Sequence, residues 1–376
     1  MNLPRYYQNL NNYLRNGKVL IVYGPRQVGK TTLLKDFLSH TSYKYRLDTG
    51  DDITLRELFS SQQLSKVLDY AKTYQLIAID EAQRIPFIGN GLKMIVDHIP
   101  DIRIIATGSS SFELSGQVGE PLTGRKVTLV LFPFALLELV ALYNRYDLDQ
   151  RLQDFLIFGT YPEVLATEDK HEKIRIIEEI TSSYLLKDIL EIDKVKNSNT
   201  LLQLLRLLAF QIGAEVSLSE LAKQLGIDYK TVGRYLDILQ KSFVIYNLKG
   251  FGSNLRKEIT KKSKYYFYDN GIRNALISNF NGIELRNDIG MLWENFIFME
   301  RLKKRSYHAI PANPYFWRSW NQKEIDLIEE REGNLYAYEF KWHGARETPP
   351  SEFVKNYPSA QFSLMSPSGM VEIPRL

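Results

Sequence analysis

The stretch of sequence that decides the fold lies near the start of the chain and reads Gly24-Pro25-Arg26-Gln27-Val28-Gly29-Lys30-Thr31-Thr32. Its two glycines, with Lys30 and Thr31 directly after the second, have the spacing of a loop whose backbone N–H groups converge on phosphate oxygens. Lys30 would reach the terminal phosphates, and the hydroxyl of Thr31 would bind magnesium. The four fixed positions arise by chance in roughly one chain of this length in a hundred. Residues 24–32 are therefore predicted to bind ATP together with Mg²⁺.

Short apolar segments and helical patterns alternate on both sides of this loop. An apolar run at Val19–Tyr23 precedes it, and a helical pattern over residues 30–38 follows it. Further buried strands are predicted at residues 43–47, 76–79, 102–106 and 127–131. Apolar strands that alternate with helices predict an α/β fold with a parallel sheet that is covered on both faces, as in P-loop NTPases.

Two carboxylates, Asp80 and Glu81, directly follow the predicted strand at residues 76–79. At the end of a buried strand beside the loop, Asp80 would lie next to the magnesium, and Glu81 would polarise the water that attacks the γ-phosphate. The strand at residues 102–106 ends in the run Thr107-Gly108-Ser109-Ser110-Ser111. A serine of this run would sense the γ-phosphate, and the alternative is a serine that caps a helix or a turn.

The composition excludes several classes of protein. The 376 residues suggest two or three domains. No stretch approaches the roughly eighteen apolar residues of a membrane span, and the first residues lack the apolar core of a secretory signal. We therefore expect a cytoplasmic protein with no membrane partner. The absence of cysteine excludes disulfides, thiolate zinc sites and cysteine nucleophiles, and the mild net charge of +4 neither requires nor excludes a nucleic-acid partner.

Changes in pattern divide the chain into four regions. Residues 1–133 carry the loop and the predicted parallel sheet. In residues 134–194 the strand signals stop and apolar residues recur at helical spacing, which predicts a helical lid. Residues 195–265 carry three helices and then a strand-like segment, the order of a winged helix-turn-helix. Residues 266–376, with one long helix and a hairpin, are predicted to form a small α/β domain.

Residues 218–236 have the layout of a helix-turn-helix. Their apolar residues would lock two helices across a turn at Gly226 and leave Lys230 and Arg234 exposed on the second helix, where both can enter a DNA groove. Six basic residues in and near the wing would contact DNA phosphates: Lys249, Arg256, Lys257, Lys261, Lys262 and Lys264. The alternative is a module that only packs against other domains and has a solvated basic run.

The motif order resembles a known family. The matching segments read Gly-Pro-Arg-Gln-Val-Gly-Lys-Thr-Thr, Ile-Asp-Glu-Ala-Gln-Arg-Ile-Pro, Thr-Gly-Ser-Ser-Ser, Leu-Thr-Gly-Arg and Leu-Phe-Pro-Phe. Together they resemble the AAA+ ATPases of bacteria and archaea whose C-terminal half was long catalogued as a domain of unknown function. The resemblance covers nearly the whole chain. It implies a phosphate loop on the central strand of the sheet, Asp80 and Glu81 as the acidic pair, and Ser109 or Ser110 as the sensor.

The same resemblance implies two further contacts with the nucleotide. Arg125 would act as an arginine finger on the nucleotide of a neighbouring subunit in a homo-oligomer, and the alternative is a surface salt bridge. The segment Gly159-Thr160-Tyr161-Pro162 resembles the lid segment that packs near the adenine in related ATPases.

The hairpin near the C-terminus carries a second candidate site. An even-numbered loop between its strands puts Leu327 opposite Tyr338 and makes one face apolar. The same register puts Asp326 opposite Glu339, with Lys341 on the same face. Two facing carboxylates destabilise an ordinary sheet, so the arrangement favours a divalent cation between them.

This hairpin, with Glu294 on a preceding helix at residues 288–304, resembles the PD-(D/E)xK nuclease family, which has the fold of restriction endonucleases. By that resemblance Glu294, Asp326 and Glu339 organise magnesium, and Lys341 positions or activates water for phosphodiester hydrolysis. The alternative is a nuclease-like fold that serves only for packing or for nonspecific DNA holding.

Three functions are compatible with these patterns. The one we expect is an ATPase coupled to a C-terminal half that binds or cuts DNA. The second is a signalling switch, in which slow ATP hydrolysis gates a protein interaction and the C-terminal half is a catalytically inactive scaffold. The third is a nuclease with ATP as an allosteric ligand.

Overall fold

Five parallel strands form the first sheet, in the order β2-β3-β4-β1-β5. The structure is a computed structural model and describes residues 3–109, 121–185, 198–252, 263–343 and 348–368. The strands are β1 Val19–Tyr23, β2 Tyr45–Thr49, β3 Leu76–Asp80, β4 Arg103–Gly108 and β5 Lys126–Val130. Each lies where the sequence predicts a strand, to within two residues. The phosphate loop was expected to follow the central strand of the sheet. It follows β1, which lies one place from the middle strand, β4, so this detail of the expectation is wrong.

Helices cover both faces of this sheet. Successive side chains of a strand point to opposite sides, so each face of the sheet has its own buried cluster. Val19 and Ile21 of β1 belong to one buried cluster, and Leu20 and Val22 belong to another. The parallel sheet with two covered faces is therefore confirmed. The helices are α1 Lys30–His40, α2 Ile53–Ser60, α3 Leu64–Ala71 and α4 Ile88–His98, with 3-10 turns at Leu10–Tyr13 and Ala82–Arg84.

The predicted lid region is helical over residues 134–185, the part of it that the structure describes. Its elements are α5 Leu136–Leu139, α6 Arg145–Phe158, α7 Pro162–Ala166, α8 Lys170–Glu179 and the π-helical turn Ile180–Leu185. Gly159 caps the C-terminus of α6 with a φ of 76°, which suits glycine, and a Cβ there would collide with the carboxylate of Asp269. Among the described residues, no helix is both long enough and apolar enough to cross a membrane.

Three helices follow in the order expected for residues 195–265: α9 Ser198–Phe210, α10 Leu218–Leu225 and α11 Tyr229–Lys241. Gly226 ends α10 in the left-handed conformation, with a φ of 64°, and the side chain of Asp228 caps α11 by accepting from the N–H of Lys230. The remaining helices are α12 Asn270–Leu276, α13 Ile289–Tyr307 and α14 Ser351–Asn356, with a 3-10 turn at Ile283–Leu285.

A second sheet of seven strands joins the predicted wing to the C-terminal hairpin, in the order β12-β11-β10-β9-β7-β8-β6. The parallel pairing of Lys249 in β7 with Tyr315 in β9 connects the two parts. The expected boundary at residue 265 falls inside β8, so the sheet runs across it. The strands are β6 Glu215–Val216, β7 Ile245–Gly250, β8 Ser263–Phe267, β9 Asn313–Arg318, β10 Glu324–Arg331, β11 Asn334–Phe340 and β12 Gln361–Met365.

Helix α13 connects this second sheet to the first half of the chain. Its Lys303 ammonium donates to the backbone carbonyl of Phe134 at 2.9 Å, and its Glu300 carboxylate accepts from the N–H of Leu136 at 2.5 Å. The two side chains also pair with each other at 2.8 Å. All of these groups are buried. The long helix therefore packs directly against the chain that leads from the first sheet into the lid.

The other side of α13 is fixed to the second sheet by a buried carboxylate. Glu329 of β10 is fully buried and accepts from Nε and Nη2 of Arg301 at 3.2 and 2.7 Å. The guanidinium groups of Arg305 and Arg331 lie 3.6 and 3.5 Å from the same carboxylate. Loss of Glu329 would leave three cationic groups close together with no carboxylate between them.

We expect Glu329→Ala to lower the free energy of unfolding by about 3–5 kcal/mol, because it leaves buried positive charge without a carboxylate partner. The neighbouring Glu330, whose carboxylate accepts a 3.5 Å hydrogen bond from the exposed Asn313 side chain, provides the matched control, and Glu330→Ala should cost less than about 0.5 kcal/mol. Urea unfolding followed by circular dichroism measures both. Equal midpoints for the two variants would contradict the structural role of Glu329.

Candidate functional site

The predicted phosphate loop connects the end of β1 to the start of α1. Gln27 and Gly29 have φ values of 58° and 93°, so the backbone turns sharply just before the helix. Gly24 is required for a different reason, since a Cβ there would collide with the carbonyl oxygen of Leu131. The loop therefore ends directly at the N-terminus of α1, where helix N–H groups and the helix dipole attract anions.

Lys30 lies inside this loop and is 6% exposed. Its ammonium donates to the backbone carbonyls of Gly24 and Pro25 at 3.0 and 2.6 Å. These are carbonyls of the loop itself, so the charge is already located where a bound phosphate would lie. A phosphate oxygen is a stronger partner for an ammonium group than a backbone carbonyl is.

Asp80, the last residue of β3, connects helix α1 and strand β4. The hydroxyl of Thr31, from α1, donates to its Oδ2 at 2.8 Å, and the hydroxyl of Thr107, from β4, donates to its Oδ1. The structure thus brings together Thr31 and Asp80, as the sequence predicts. Thr107 starts the polar run that follows residues 102–106, so its position next to Asp80 has a signal in the sequence. The γ-phosphate sensor was expected among the serines of that run, and no role was expected for Thr107.

Glu81 and Ser109 are linked through a residue that the sequence analysis did not select. Gln83 donates from its Nε2 to the Glu81 carboxylate at 2.5 Å, and its side-chain oxygen accepts from the N–H of Ser109 at 3.3 Å. Ser109 is buried, with 1% exposure. Ser110 lies outside the described residues. Gln83 thus fixes the carboxylate that the sequence assigns to water activation.

Arg125 does not join the nucleotide site of its own chain. It precedes β5, and the pairing of Val19 with Lys126 in the parallel sheet puts it at the edge opposite to the loop. Its Nε lies 2.6 Å from Oδ1 of Asp97 in α4, with both side chains partly exposed. The structure therefore shows the surface salt bridge, and a role toward a second subunit stays a prediction.

A cavity of about 290 Å³ lies between the loop helix and the lid. One wall is the N-terminal segment, one is the first turns of α1, and one is α7 of the lid. The lining residues are Leu3, Pro4, Arg5, Gln8, Val28, Gly29, Thr32, Leu33, Asp36, Phe134, Pro162, Glu163 and Ala166. Because Val28, Gly29 and Thr32 also belong to the phosphate loop, the cavity is continuous with it.

The C-terminal hairpin has the predicted register. Leu327 pairs with Tyr338 across β10 and β11, which confirms the even-numbered loop. One residue further, Oδ2 of Asp326 accepts from the N–H of Phe340 at 2.8 Å. Burial, together with the like charges of Glu294 and Glu339, raises the pKa of Asp326 well above its ordinary value. Four of the predicted residues therefore meet here, since Lys341 lies 2.6 Å from Glu339.

Lys264 of β8 is the residue of this site that the sequence analysis placed elsewhere. It was expected to contact DNA phosphates from the wing, and this is wrong, because the side chain is 2% exposed. Its Nζ pairs with Glu324, lies 3.2 Å from Oε1 of Glu294 and lies 4.0 Å from Oδ1 of Asp326. Burial lowers the pKa of Lys264, but these carboxylates outweigh it and raise the pKa above its ordinary value.

The acidic site brings carboxylates and cationic groups close together. Four carboxylates, from Glu294, Glu324, Asp326 and Glu339, lie around the ammonium groups of Lys264 and Lys341. Nε of Arg318 lies 3.9 Å from Oε2 of Glu324. Oε2 of Glu339 is buried and has no hydrogen-bond partner. In the part of the chain that the structure describes, no group of three or more acidic or histidine side chains is arranged to hold a metal ion. Asp326 and Glu339 therefore offer a cation two carboxylates at most.

A polar groove of about 660 Å³ leads to this site. Its lining residues are Asn321, Gln322, Lys323, Glu324, Glu339, Lys341, Thr348, Pro349, Pro350, Ser351, Glu352 and Phe362. The acidic site is thus accessible from solvent through Glu324, Glu339 and Lys341, whereas the Lys264 side chain is buried.

The second helix of the helix-turn-helix presents its basic residues to solvent. Lys230 and Arg234 of α11 are exposed, and Val232 and Leu236 are buried beneath them. The expected wing residues 256, 257, 261 and 262 lie outside the described part of the chain. DNA contact through α11 therefore stays a prediction.

Comparison with family models divides the chain into three matched segments. Residues 16–140 match the AAA domain. Residues 149–282 match a domain of unknown function, DUF8612, and residues 289–369 match another, DUF4143. The AAA match, together with the parallel sheet and the loop, supports an AAA+ P-loop ATPase in the first part of the chain.

Similar proteins occur in distant organisms. An uncharacterized protein of Mycobacterium tuberculosis is 28% identical over 88% of this chain and 72% of its own length. An uncharacterized protein of Haemophilus influenzae is 25% identical over 87% of this chain and 83% of its own length. Among solved structures, the RuvB Holliday junction branch migration motor of Thermotoga maritima is 17% identical, with a TM-score of 0.28 over 61% of this chain and 81% of that one. A likeness of that size supports no conclusion about function.

Proposed function

We propose that residues 24–32, with Asp80 and Glu81, bind and hydrolyse ATP with Mg²⁺. The observation that carries the proposal is the meeting of Thr31, Asp80 and Thr107 beside the loop that holds Lys30. A hydroxyl and a carboxylate 2.8 Å apart are hard oxygen ligands of the kind that magnesium prefers. Thr31 and Asp80 would hold the ion, which neutralises charge on the β- and γ-phosphates when it is bound.

The side chains of the loop and of β3 would divide the chemistry between them. Lys30 exchanges the carbonyls of Gly24 and Pro25 for phosphate oxygens. Glu81 orients the attacking water and accepts its proton, and Gln83 keeps the Glu81 carboxylate turned toward Ser109. Adenine would occupy the cavity between α1 and α7, where Val28, Leu33 and Phe134 offer apolar surface.

We further propose that the acidic site in the C-terminal half hydrolyses DNA phosphodiester bonds with a divalent cation. The supporting observation is the convergence of Glu294, Asp326, Glu339 and Lys341 at the end of an open groove. The partnerless Oε2 of Glu339 fits a cation between Glu339 and Asp326. Such an ion supplies charge neutralisation at the scissile phosphate, and Lys341 positions the water. Lys230 and Arg234 on α11 would hold the DNA.

Helix α13 would couple the nucleotide site to the acidic site. Lys303 and Glu300 bond to the backbone beside Phe134, which lines the proposed adenine pocket. Glu294, on the same helix, belongs to the acidic site. Arg5 adds a second link, because it lines the pocket and lies 3.4 Å from the hydroxyl of Tyr307. Closure of the pocket on a nucleotide would thus act directly on the helix that carries Glu294.

The competing proposal is a signalling switch with an inactive C-terminal scaffold. The observation that favours it is Lys264, whose ammonium already compensates part of the acidic charge. The two proposals differ in one outcome, which is cleavage of DNA.

Two substitutions test the ATPase. Lys30→Ala should abolish nucleotide binding, because it removes the charge inside the loop, whereas Glu81→Gln should bind ATP but lose about 10²–10⁴-fold in turnover. Titration with a fluorescent ATP analogue and release of inorganic phosphate measure the two steps. Lys35→Ala, on an exposed position of the same helix, is the control and should change neither. Unchanged hydrolysis in Lys30→Ala or Glu81→Gln would overturn the assignment.

A nicking assay on plasmid DNA with Mg²⁺, with and without ATP, tests the acidic site. Asp326→Asn should abolish cleavage, because it removes a cation ligand while its side-chain oxygen can still accept from Phe340, and Glu332→Gln in the exposed hairpin turn should have no effect. Lack of cleavage by the folded wild-type protein under every metal and nucleotide condition would favour the switch.

Binding of the same plasmid DNA is measured separately from its cleavage. Lys230→Ala and Arg234→Ala should each weaken binding and reduce the salt dependence by about one phosphate contact, whereas Asp326→Asn should bind normally. Lys66→Ala, on an exposed position of α3, is the control. Binding that is unaffected by either α11 substitution would mean that this module only packs within the protein.

A further inference from the structure

The side chain of Trp320, in the turn between β9 and β10, is 96% exposed. Of the other tryptophans, Trp293 and Trp317 are buried and Trp342 is partly buried. An indole ring carries a large apolar surface, and burial of that surface is favourable. Folding of the chain therefore gives no reason to hold this ring in water. Exposed tryptophans are enriched where proteins bind other molecules.

Hydrogen bonds hold the turn that carries Trp320. The N–H of Ser319 donates to the carbonyl of Lys323 at 2.8 Å, and the N–H of Gln322 donates to the carbonyl of Ser319 at 3.2 Å. The guanidinium of Arg318 donates to the side-chain oxygen of Gln322. The backbone that carries the ring is therefore already ordered, so a ligand that stacks on the ring does not have to order the turn first.

The same turn forms part of the rim of the polar groove that leads to the acidic site. The three residues after Trp320, which are Asn321, Gln322 and Lys323, line this groove together with Lys341. Lys323 and Lys341 are both exposed, and their ammonium groups attract the phosphates of a nucleic-acid backbone. Cationic groups that follow the backbone and an aromatic ring on which a base can stack are the combination that binds single-stranded nucleic acid.

A short strand of nucleic acid would reach from Trp320 to the acidic site. Arg318 of β9 pairs with Glu324 of β10. Trp320 follows Arg318 by two residues on one side of this pair, and Asp326 follows Glu324 by two residues on the other side. At about 3.3 Å per residue, the Cα atoms of Trp320 and Asp326 are at most about 13 Å apart along the hairpin. That length corresponds to about four bases at 3.4 Å each, so one strand can meet both.

The surroundings of Trp320 favour a nucleic acid over a protein partner. Among the described residues of β9, β10, β11 and the turns between them, no other large apolar side chain is exposed. The aromatic anchors of protein interfaces lie instead in well-packed surroundings that exclude water. Bases inside a continuous duplex already stack on one another, so the ring can stack only on a base that has left the stack.

We infer that Trp320 is a stacking platform for an unpaired base, and that the substrate of the acidic site is DNA with a single-stranded segment rather than a continuous duplex. The inference rests on the hydrolysis proposed for the acidic site and names the class of DNA on which that site acts. Stacking on the ring itself needs neither a cation nor cleavage, so the two proposals can be tested apart.

Filter binding in EDTA, on the full-length, nucleotide-free protein, tests the inference. The two probes are a single-stranded oligonucleotide of DNA and a relaxed closed-circular duplex, which has no ends. Trp320→Ala should weaken binding of the single strand by about 5- to 100-fold, because one stacked base is lost, and should leave binding of the duplex unchanged. Trp320→Phe keeps a ring and should retain most of the affinity. Tyr146→Ala removes a ring of α6 that is 70% exposed; it is the matched control and should bind both probes normally.

Tryptophan fluorescence reports the contact directly. Single-stranded DNA should quench the emission of the wild-type protein, and Trp320→Phe should lose that quenching although it still binds the strand. Binding of the single strand that Trp320→Ala leaves unchanged, or a wild-type protein that binds no single strand, overturns the inference. The nicking assay with Mg²⁺ judges the hydrolysis separately. Stacking without cleavage contradicts the hydrolysis alone, and cleavage with unchanged binding by Trp320→Ala contradicts the stacking platform alone.

Discussion

The ion pair between Lys303 and Glu300 is the interaction on which the rest of the structure depends. Both side chains are buried, and both bond to the backbone between the first sheet and the lid. Neither charge can lose its partner without leaving the other uncompensated in the interior. Helix α13 is therefore fixed to the wall of the proposed nucleotide pocket. Glu294 lies about 9 Å from Glu300 along the same helix, at 1.5 Å per residue, so the acidic site is attached to that wall as well.

The second sheet extends this attachment to the helix-turn-helix. Pairing of Lys249 with Tyr315 makes the wing strands and the C-terminal hairpin one sheet, and Lys264 on β8 contributes directly to the acidic site. The strand that follows the helix-turn-helix and the strands of the hairpin are thus hydrogen-bonded within one sheet. A movement of α13 on nucleotide binding, as we propose, would act on the strands that pack against it.

Local signals in the sequence account for what could be predicted. The loop at residues 24–32 fixes the first strand and helix, and the even-numbered hairpin loop fixes the pairing of Leu327 with Tyr338. The role of Lys264 could not be predicted, because it lies next to a run of basic residues and its partners come from distant elements. The partner of Arg125 likewise depends on where α4 packs, which brings Asp97 to it. Contacts of this kind can be predicted only when the long-range packing of the elements is known.

Amide hydrogen exchange, measured by mass spectrometry on Glu81→Gln with and without ATP and Mg²⁺, tests the central claim most directly. That claim is that α13 carries the state of the nucleotide pocket to the acidic site. We predict slower exchange on ATP binding in residues 24–32, in α13 and also in β10 and β11. Slower exchange that is confined to the first sheet and the lid, with α13 and the hairpin unchanged, would contradict it.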